Sequence, residues 1–83
     1  MYNVYILYSK NIDRFYIGYT SDNMSERLRR HNTNHSGFSG KVGDWEIVYF
    51  EEYVFKEEAT KREREMKSWK SRKKIEILIS SRK

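Results

Sequence analysis

The chain has no cysteine. That removes any disulfide staple and any thiolate zinc site, and it fits a cytoplasmic protein better than a secreted one. No apolar run reaches transmembrane length, and the first residues look like a strand rather than a basic segment leading into a long apolar one. Neither a leader nor a membrane partner is therefore expected. The phosphate-cradling GxxxxGK and the dinucleotide GxGxxG are both missing. His31 and His35 are spaced i,i+4, but the helix carrying His31 is expected to end between them, and no third metal ligand is adjacent. No serine sits in a nucleophile elbow. Glycine is scarce and uneven, with Gly37, Gly40 and Gly43, three of the four, falling in residues 34–44. At 83 residues the expectation is one domain over 1–83, small enough that every large apolar side chain matters to its core.

What is present begins with a hairpin. Tyr2–Tyr8 and Phe15–Thr20 are short runs of β-branched and aromatic residues around a polar connection. The connection has no Asn-Gly or Asp-Gly, so a longer turn over Lys10–Asp13 is expected. Alternation places Tyr2, Val4, Ile6 and Tyr8 on one face and Tyr5 and Leu7 on the other. On the second strand Phe15, Ile17 and Tyr19 separate from Tyr16 and Gly18. Neither run contains a charge, so helices should cover both faces.

Asp22 or Asn23 can cap the next helix. From Asn23, Glu26 falls at the capping-box position. Met24, Leu28 and His31 share one stripe of it, with Arg27 along its edge and Arg29 and Arg30 pointing outward. Residues 34–44 read as a loop anchored by Phe38. Its Ser36, Ser39, Lys41 and backbone N–H groups are able to meet a phosphate, or the segment is plain connection. Trp45–Tyr53 reads as a third strand, with Trp45, Ile47 and Tyr49 on one side and Val48 and Phe50 on the other. The helix after it starts with Glu57 and Glu58, as the helix dipole favours. Its inner stripe runs through Phe55, Ala59 and Met66, and Glu63 lies on that stripe. An acid there is snorkelling, paired or functional. Ser71 can cap a last helix that buries Ile75, Leu78 and Ile79. The fold class is thus α+β, with a small three-stranded antiparallel sheet flanked by about three helices.

The net charge is +5, and its distribution says more than the total. Residues 1–60 carry 7 basic and 9 acidic side chains, whereas residues 61–74 carry 8 basic and 2 acidic. A field so concentrated favours a polyanion such as nucleic acid, although a solvated helix face would look the same. Arg30, Lys41, Lys67, Lys70, Arg72 and Lys73 are the candidate contacts. Tyr5, Tyr16, Tyr19, Arg27, His31 and Glu63 are polar groups able to converge. Gly18 leaves a gap beside Tyr16 in which a substrate backbone could approach. A carboxylate in a basic stretch suits a divalent cation held against phosphate, and an arginine can neutralise a non-bridging oxygen. A tyrosine acting as base needs its ordinary pKa near 10 lowered. The plainer account is a half-buried sheet with its tyrosine hydroxyls at the rim.

Val4-Tyr5, then Tyr16-Ile17-Gly18, then Arg27 and His31 on the following helix, and later Ala59-x-x-x-Glu63, form an ordered set. That set, with the stretches GYTSD, ERLRRH and KREREMKSWKSRKK, resembles the GIY-YIG nuclease superfamily, in particular its small stand-alone bacterial members. The resemblance covers roughly residues 3–79. It implies a metal-dependent endonuclease acting on DNA through one magnesium or manganese ion and an activated water. It makes Tyr5 the general base with Tyr16 beside the water, Gly18 the structural glycine with Tyr19 next to it, Arg27 the phosphate-stabilising cation, His31 a supporting residue, and Glu63 the metal ligand. Three departures stand out. Asn3 replaces the first glycine of the motif. Tyr19 stands where DNA-repair members carry a lysine. No asparagine lies in Lys73–Ile77. A domain this small has few base-reading elements, so structure-selective or nonspecific cleavage is expected. The alternatives are a nucleic-acid-binding or accessory module in DNA repair or processing, with little catalysis, and a protein-interaction domain with a basic surface. Trp69 and Phe38 serve the core or a dimer contact, which leaves monomer and weak dimer both open.

Overall fold

The computed structural model describes residues 1–21, 23–33 and 43–81, apart from the side chains of His31 and Thr33. Asp22, the 34–42 segment with Phe38 and Lys41, and residues 82–83 lie outside the described residues. The elements run β1 (Tyr2–Ser9), β2 (Arg14–Thr20), α1 (Met24–Thr33), β3 (Glu46–Tyr53), α2 (Lys56–Ser68) and α3 (Arg72–Ser80). The strand order is β2-β1-β3, and both pairings are antiparallel. This is the three-stranded sheet with three helices that the sequence implies.

The central strand is uncharged because it is covered on both sides. Val4 and Ile6 pack with Ile17 and Tyr49 against Ala59, Met66 and Ile75, which places α2 and α3 on one face. Tyr5 and Leu7 pack with Trp45, Tyr16, Met24 and Leu28, which places α1 on the other. The hairpin register sets Tyr5 opposite Gly18 and Leu7 opposite Tyr16, so alternation assigns these faces correctly. The turn is closed by contacts remote in sequence. Asp13 adopts φ 53°, and its carboxylate accepts from Tyr8 Oη at 2.6 Å and from Arg72 at 2.6 and 3.0 Å.

Alternation fails on β3. Its register against β1 passes from Ile6↔Tyr49 to Leu7↔Ile47, leaving Val48 as an extra residue. This β-bulge reverses the faces beyond it. Trp45 and Ile47 pack toward α1, whereas Val48 and Tyr49 both pack toward α2 and α3. The expected grouping of Trp45, Ile47 and Tyr49 is therefore corrected, and Val48 does not share a side with Phe50.

Asn23 caps α1, its Oδ1 accepting from the backbone N–H of Ser25 at 2.8 Å and of Glu26 at 3.3 Å. The Glu26 carboxylate binds Arg29 instead of completing the box. At the far end Asn32 bonds both backbone groups of Trp45, accepting from its N–H at 2.8 Å and donating to its carbonyl at 3.2 Å. That amide ties α1 to the start of β3. Ser71 caps α3 by accepting from Lys74 N–H. Phe55 departs from expectation. It occupies the N-cap of α2 with extended backbone, so it precedes the helical stripe and is 62 % exposed.

Candidate active site

The site is built around the hydroxyl of Tyr5. Tyr5 is 2 % exposed, and its ring leans over Gly18 on the neighbouring strand. A Cβ on Gly18 would lie 2.7 Å from Tyr5 Oη, 2.9 Å from its Cζ and 3.2 Å from Tyr16 Cε1. The space beside Gly18 is therefore taken by Tyr5 itself, which corrects the expectation of a gap open to a substrate backbone. Glycine is needed here for room.

Arg27 comes from the opposite direction. Met24 and Leu28 press α1 onto the sheet, and between them Arg27 Nε donates to Tyr5 Oη at 3.3 Å. Tyr16 packs edge-on to Trp45 with ring centroids 6.3 Å apart. Burial pushes the Tyr5 hydroxyl above its ordinary pKa. The Arg27 hydrogen bond and charge pull it down, and Tyr16 and Glu63 push it up again. The net direction is upward, so Tyr5 is a neutral phenol at neutral pH. Glu63 is close enough for its charge to act on that hydroxyl. Tyr5, Tyr16, Arg27 and Glu63 therefore form one electrostatic neighbourhood, although they come from β1, β2, α1 and α2.

Glu63 is 18 % exposed, and its Oε2 lies 3.2 Å from Lys67 Nζ one turn further along α2. Among the described residues no group of three or more His, Cys, Asp or Glu is placed to hold a metal ion. What remains is a single hard oxygen donor, partly sheltered and paired with a lysine. That donor set fits an ion that keeps most of its water and shares the rest of its shell with phosphate, as magnesium does. It does not fit an ion caged entirely by protein.

Other candidates fall elsewhere. Tyr19 pairs with Val4 and packs with the α2–α3 core, so it sits across the sheet from Tyr5 rather than at the site. The His31 backbone is in α1, but its side chain lies outside the described residues, as does all of Lys41. Arg30 is exposed, with Nε 3.9 Å from Glu26. Lys70 lines an open cleft with Arg14, Phe15 and Trp69 where α2 meets α3, and Lys73 is exposed at the start of α3. Arg72 is committed within the protein. It holds Asp13 and, at 3.0 Å, Glu76, and its guanidinium stacks on Phe15.

Two clusters escape sequence reasoning. One is that Asp13–Arg72 clamp. The other centres on Glu51 of β3, which accepts from Tyr49 and Tyr53 and takes two bonds from Arg62 of α2, at 3.0 and 3.1 Å. Arg62 also lies over the ring of Trp69. Burial pushes the Glu51 carboxyl up, but the bonds from Arg62, Tyr49 and Tyr53 outweigh it and hold the group below its ordinary value. The cluster fixes α2 to the sheet one residue before Glu63. Alternation alone puts Tyr49, Glu51 and Tyr53 on one face, and their register with Ile6, Val4 and Tyr2 makes it the face that α2 covers, whereas nothing in the sequence marks the bulge that sends Trp45 and Ile47 to the other.

Among the described residues no helix is long and apolar enough to cross a membrane. A family model described as the GIY-YIG catalytic domain matches residues 1–76. No curated protein and no solved structure matches the chain.

Proposed function

Because the chain belongs to the GIY-YIG family, we propose that it is a divalent-metal-dependent endonuclease that hydrolyses phosphodiester bonds in DNA, structure-selectively or without sequence preference. The observation that carries this reading is the Tyr5 hydroxyl, pinned between Gly18 and Arg27 with the Glu63 charge beside it. A fold kept only for packing has no need of a buried phenol bonded to an arginine near a carboxylate. In this reading Glu63 holds one magnesium or manganese ion, which when bound supplies a polarised water and charge for the phosphate. Arg27 has five N–H donors, enough to hold Tyr5 and to neutralise a non-bridging oxygen. Tyr5 orients the attacking water and, once it has itself lost its proton to solvent, accepts one from that water as the tyrosinate, and Tyr16 borders the water.

One observation favours a weaker enzyme or an accessory nucleic-acid-binding module. Burial holds Tyr5 protonated, and the hydrogen bond and charge of Arg27 do not outweigh it. The test incubates supercoiled plasmid, single-stranded DNA and a flapped duplex with magnesium or manganese. EDTA and Glu63→Gln controls run alongside, and binding is measured in the same samples. Metal-dependent nicking that Glu63→Gln loses while still binding DNA supports the nuclease. Binding without cleavage by the folded wild-type protein supports the accessory module.

A further inference from the structure

The Glu63 carboxylate already has a cation. Lys67 Nζ sits 3.2 Å from Oε2, with the glutamate 18 % and the lysine 51 % exposed. On an ordinary exposed helix an i,i+4 pair of this kind contributes little. Here the surroundings of Lys67 make it consequential. The position three residues back on its own face is Arg64, also basic, and α2 ends one residue beyond Lys67 in a further basic stretch. Glu65, the other acid in the stretch, is held by Arg62. If Lys67 leaves Glu63, no other carboxylate of residues 61–74 is available to it. Its ammonium would then sit among like charges, a setting that favours a polyanion.

We infer that Lys67 is a tethered counter-ion which must yield Glu63 to the divalent metal and which then binds the phosphate backbone of the substrate, so that this one side chain adds a positive coupling between metal and nucleic acid to the one a shared phosphate supplies. The inference rests on Glu63 being the metal ligand. In the metal-free protein Lys67 competes for the carboxylate, which weakens metal binding. In the loaded protein its ammonium is released toward solvent, which strengthens nucleic-acid binding. Linkage makes the effect reciprocal, so DNA tightens the metal by the same factor.

The experiment titrates Mn2+ calorimetrically into wild-type, Lys67→Gln, Lys61→Gln and Glu63→Gln proteins. The titration is repeated with a short duplex present in a Tyr5→Phe background, so that the duplex survives. Without DNA, Lys67→Gln should bind Mn2+ about three- to tenfold tighter than wild type, the size set by a single charge a few ångströms away in a wet site. Lys61→Gln removes an equal charge from the exposed face of the same helix and should change affinity by less than about twofold. The tightening of Mn2+ by DNA should be smaller in Lys67→Gln than in wild type, leaving only the part that a phosphate shared with the metal supplies. Unchanged Mn2+ affinity in Lys67→Gln, an equal effect from Lys61→Gln, or coupling as large as wild type overturns the inference. Glu63→Gln separates the two levels. If it keeps wild-type Mn2+ binding, the assignment of the metal ligand fails as well. If it loses that binding while Lys67→Gln behaves as wild type, only the role of Lys67 fails.

Discussion

Gly18→Ala is the most informative small change in this protein. The added methyl carbon would stand 2.7 Å from Tyr5 Oη and 2.9 Å from Tyr5 Cζ. Both distances are shorter than carbon atoms tolerate, so the ring must retreat by several tenths of an ångström. It has nowhere to go, since Tyr5 is buried among Leu7, Trp45, Met24 and Leu28, and its hydroxyl is bonded to Arg27. Overpacking of this kind costs about 1–3 kcal/mol, and loss of the Arg27 bond adds roughly 1 kcal/mol. In a domain of this length that is a fall in melting temperature of about 10–25 °C. Thermal and urea unfolding followed by near-UV circular dichroism measure it. Tyr5→Phe in the same chain removes the closest of the clashing atoms but leaves the ring carbon. The double variant should therefore be less destabilised than the sum of the two single variants. Stability of Gly18→Ala within about 0.5 kcal/mol of wild type, the scatter of a neutral surface change, would refute the packing argument.

Three further outcomes follow from the ion pairs. Arg72, followed by Tyr8, holds the Asp13 carboxyl down at about 2, against 3.8 ordinarily. A depressed folded-state pKa adds stability that is complete above the ordinary value and is lost as pH falls toward 2. Urea midpoints measured from neutral pH downward should therefore fall more steeply below about pH 4 in wild type than in Asp13→Asn, and parallel profiles would contradict the clamp. Glu51→Gln, at a side chain 16 % exposed with three donor residues, should cost about 2–3 kcal/mol in urea unfolding, and an unchanged midpoint would show that the cluster does not hold α2. Lys70→Ala with Lys73→Ala should lower the salt slope of duplex binding by about 1–2. Arg72→Ala should leave that slope nearly unchanged while lowering stability, and a slope reduced as much as in the lysine pair would return Arg72 to the interface.

Period-two alternation of uncharged runs was enough to find β1 and β2, and it put Tyr5 and Gly18 on one face. Short side chains at helix starts were enough for the caps at Asn23 and Ser71. These signals are local, and the structure keeps them because nothing remote competes. The failures have remote causes. Val48 bulges because β3 must register with β1, and no glycine announces it. Phe55 continues the α2 stripe only if the helix is started one residue early. Arg72 looks like a free cation until the hairpin turn brings Asp13 to it from 59 residues away. Glu63 shows the opposite case. Its place on an apolar stripe was visible, and so was a lysine four residues on, yet only the folded chain brings its charge to bear on Tyr5.

The central claim is that Tyr5, buried, held by Arg27 and neutral at neutral pH, is the base of a phosphodiesterase site and acts in its deprotonated form. The most direct measurement is the single-turnover rate of plasmid nicking by wild type and Tyr5→Phe across about pH 6 to 10, with metal and DNA saturating. The account predicts a wild-type rate that climbs with pH through and above neutrality, because Tyr5 acts deprotonated and burial raises its pKa. It predicts a Tyr5→Phe rate lower by at least ~100-fold and without that climb. A Tyr5→Phe protein that cuts at the wild-type rate with the wild-type pH dependence would contradict it.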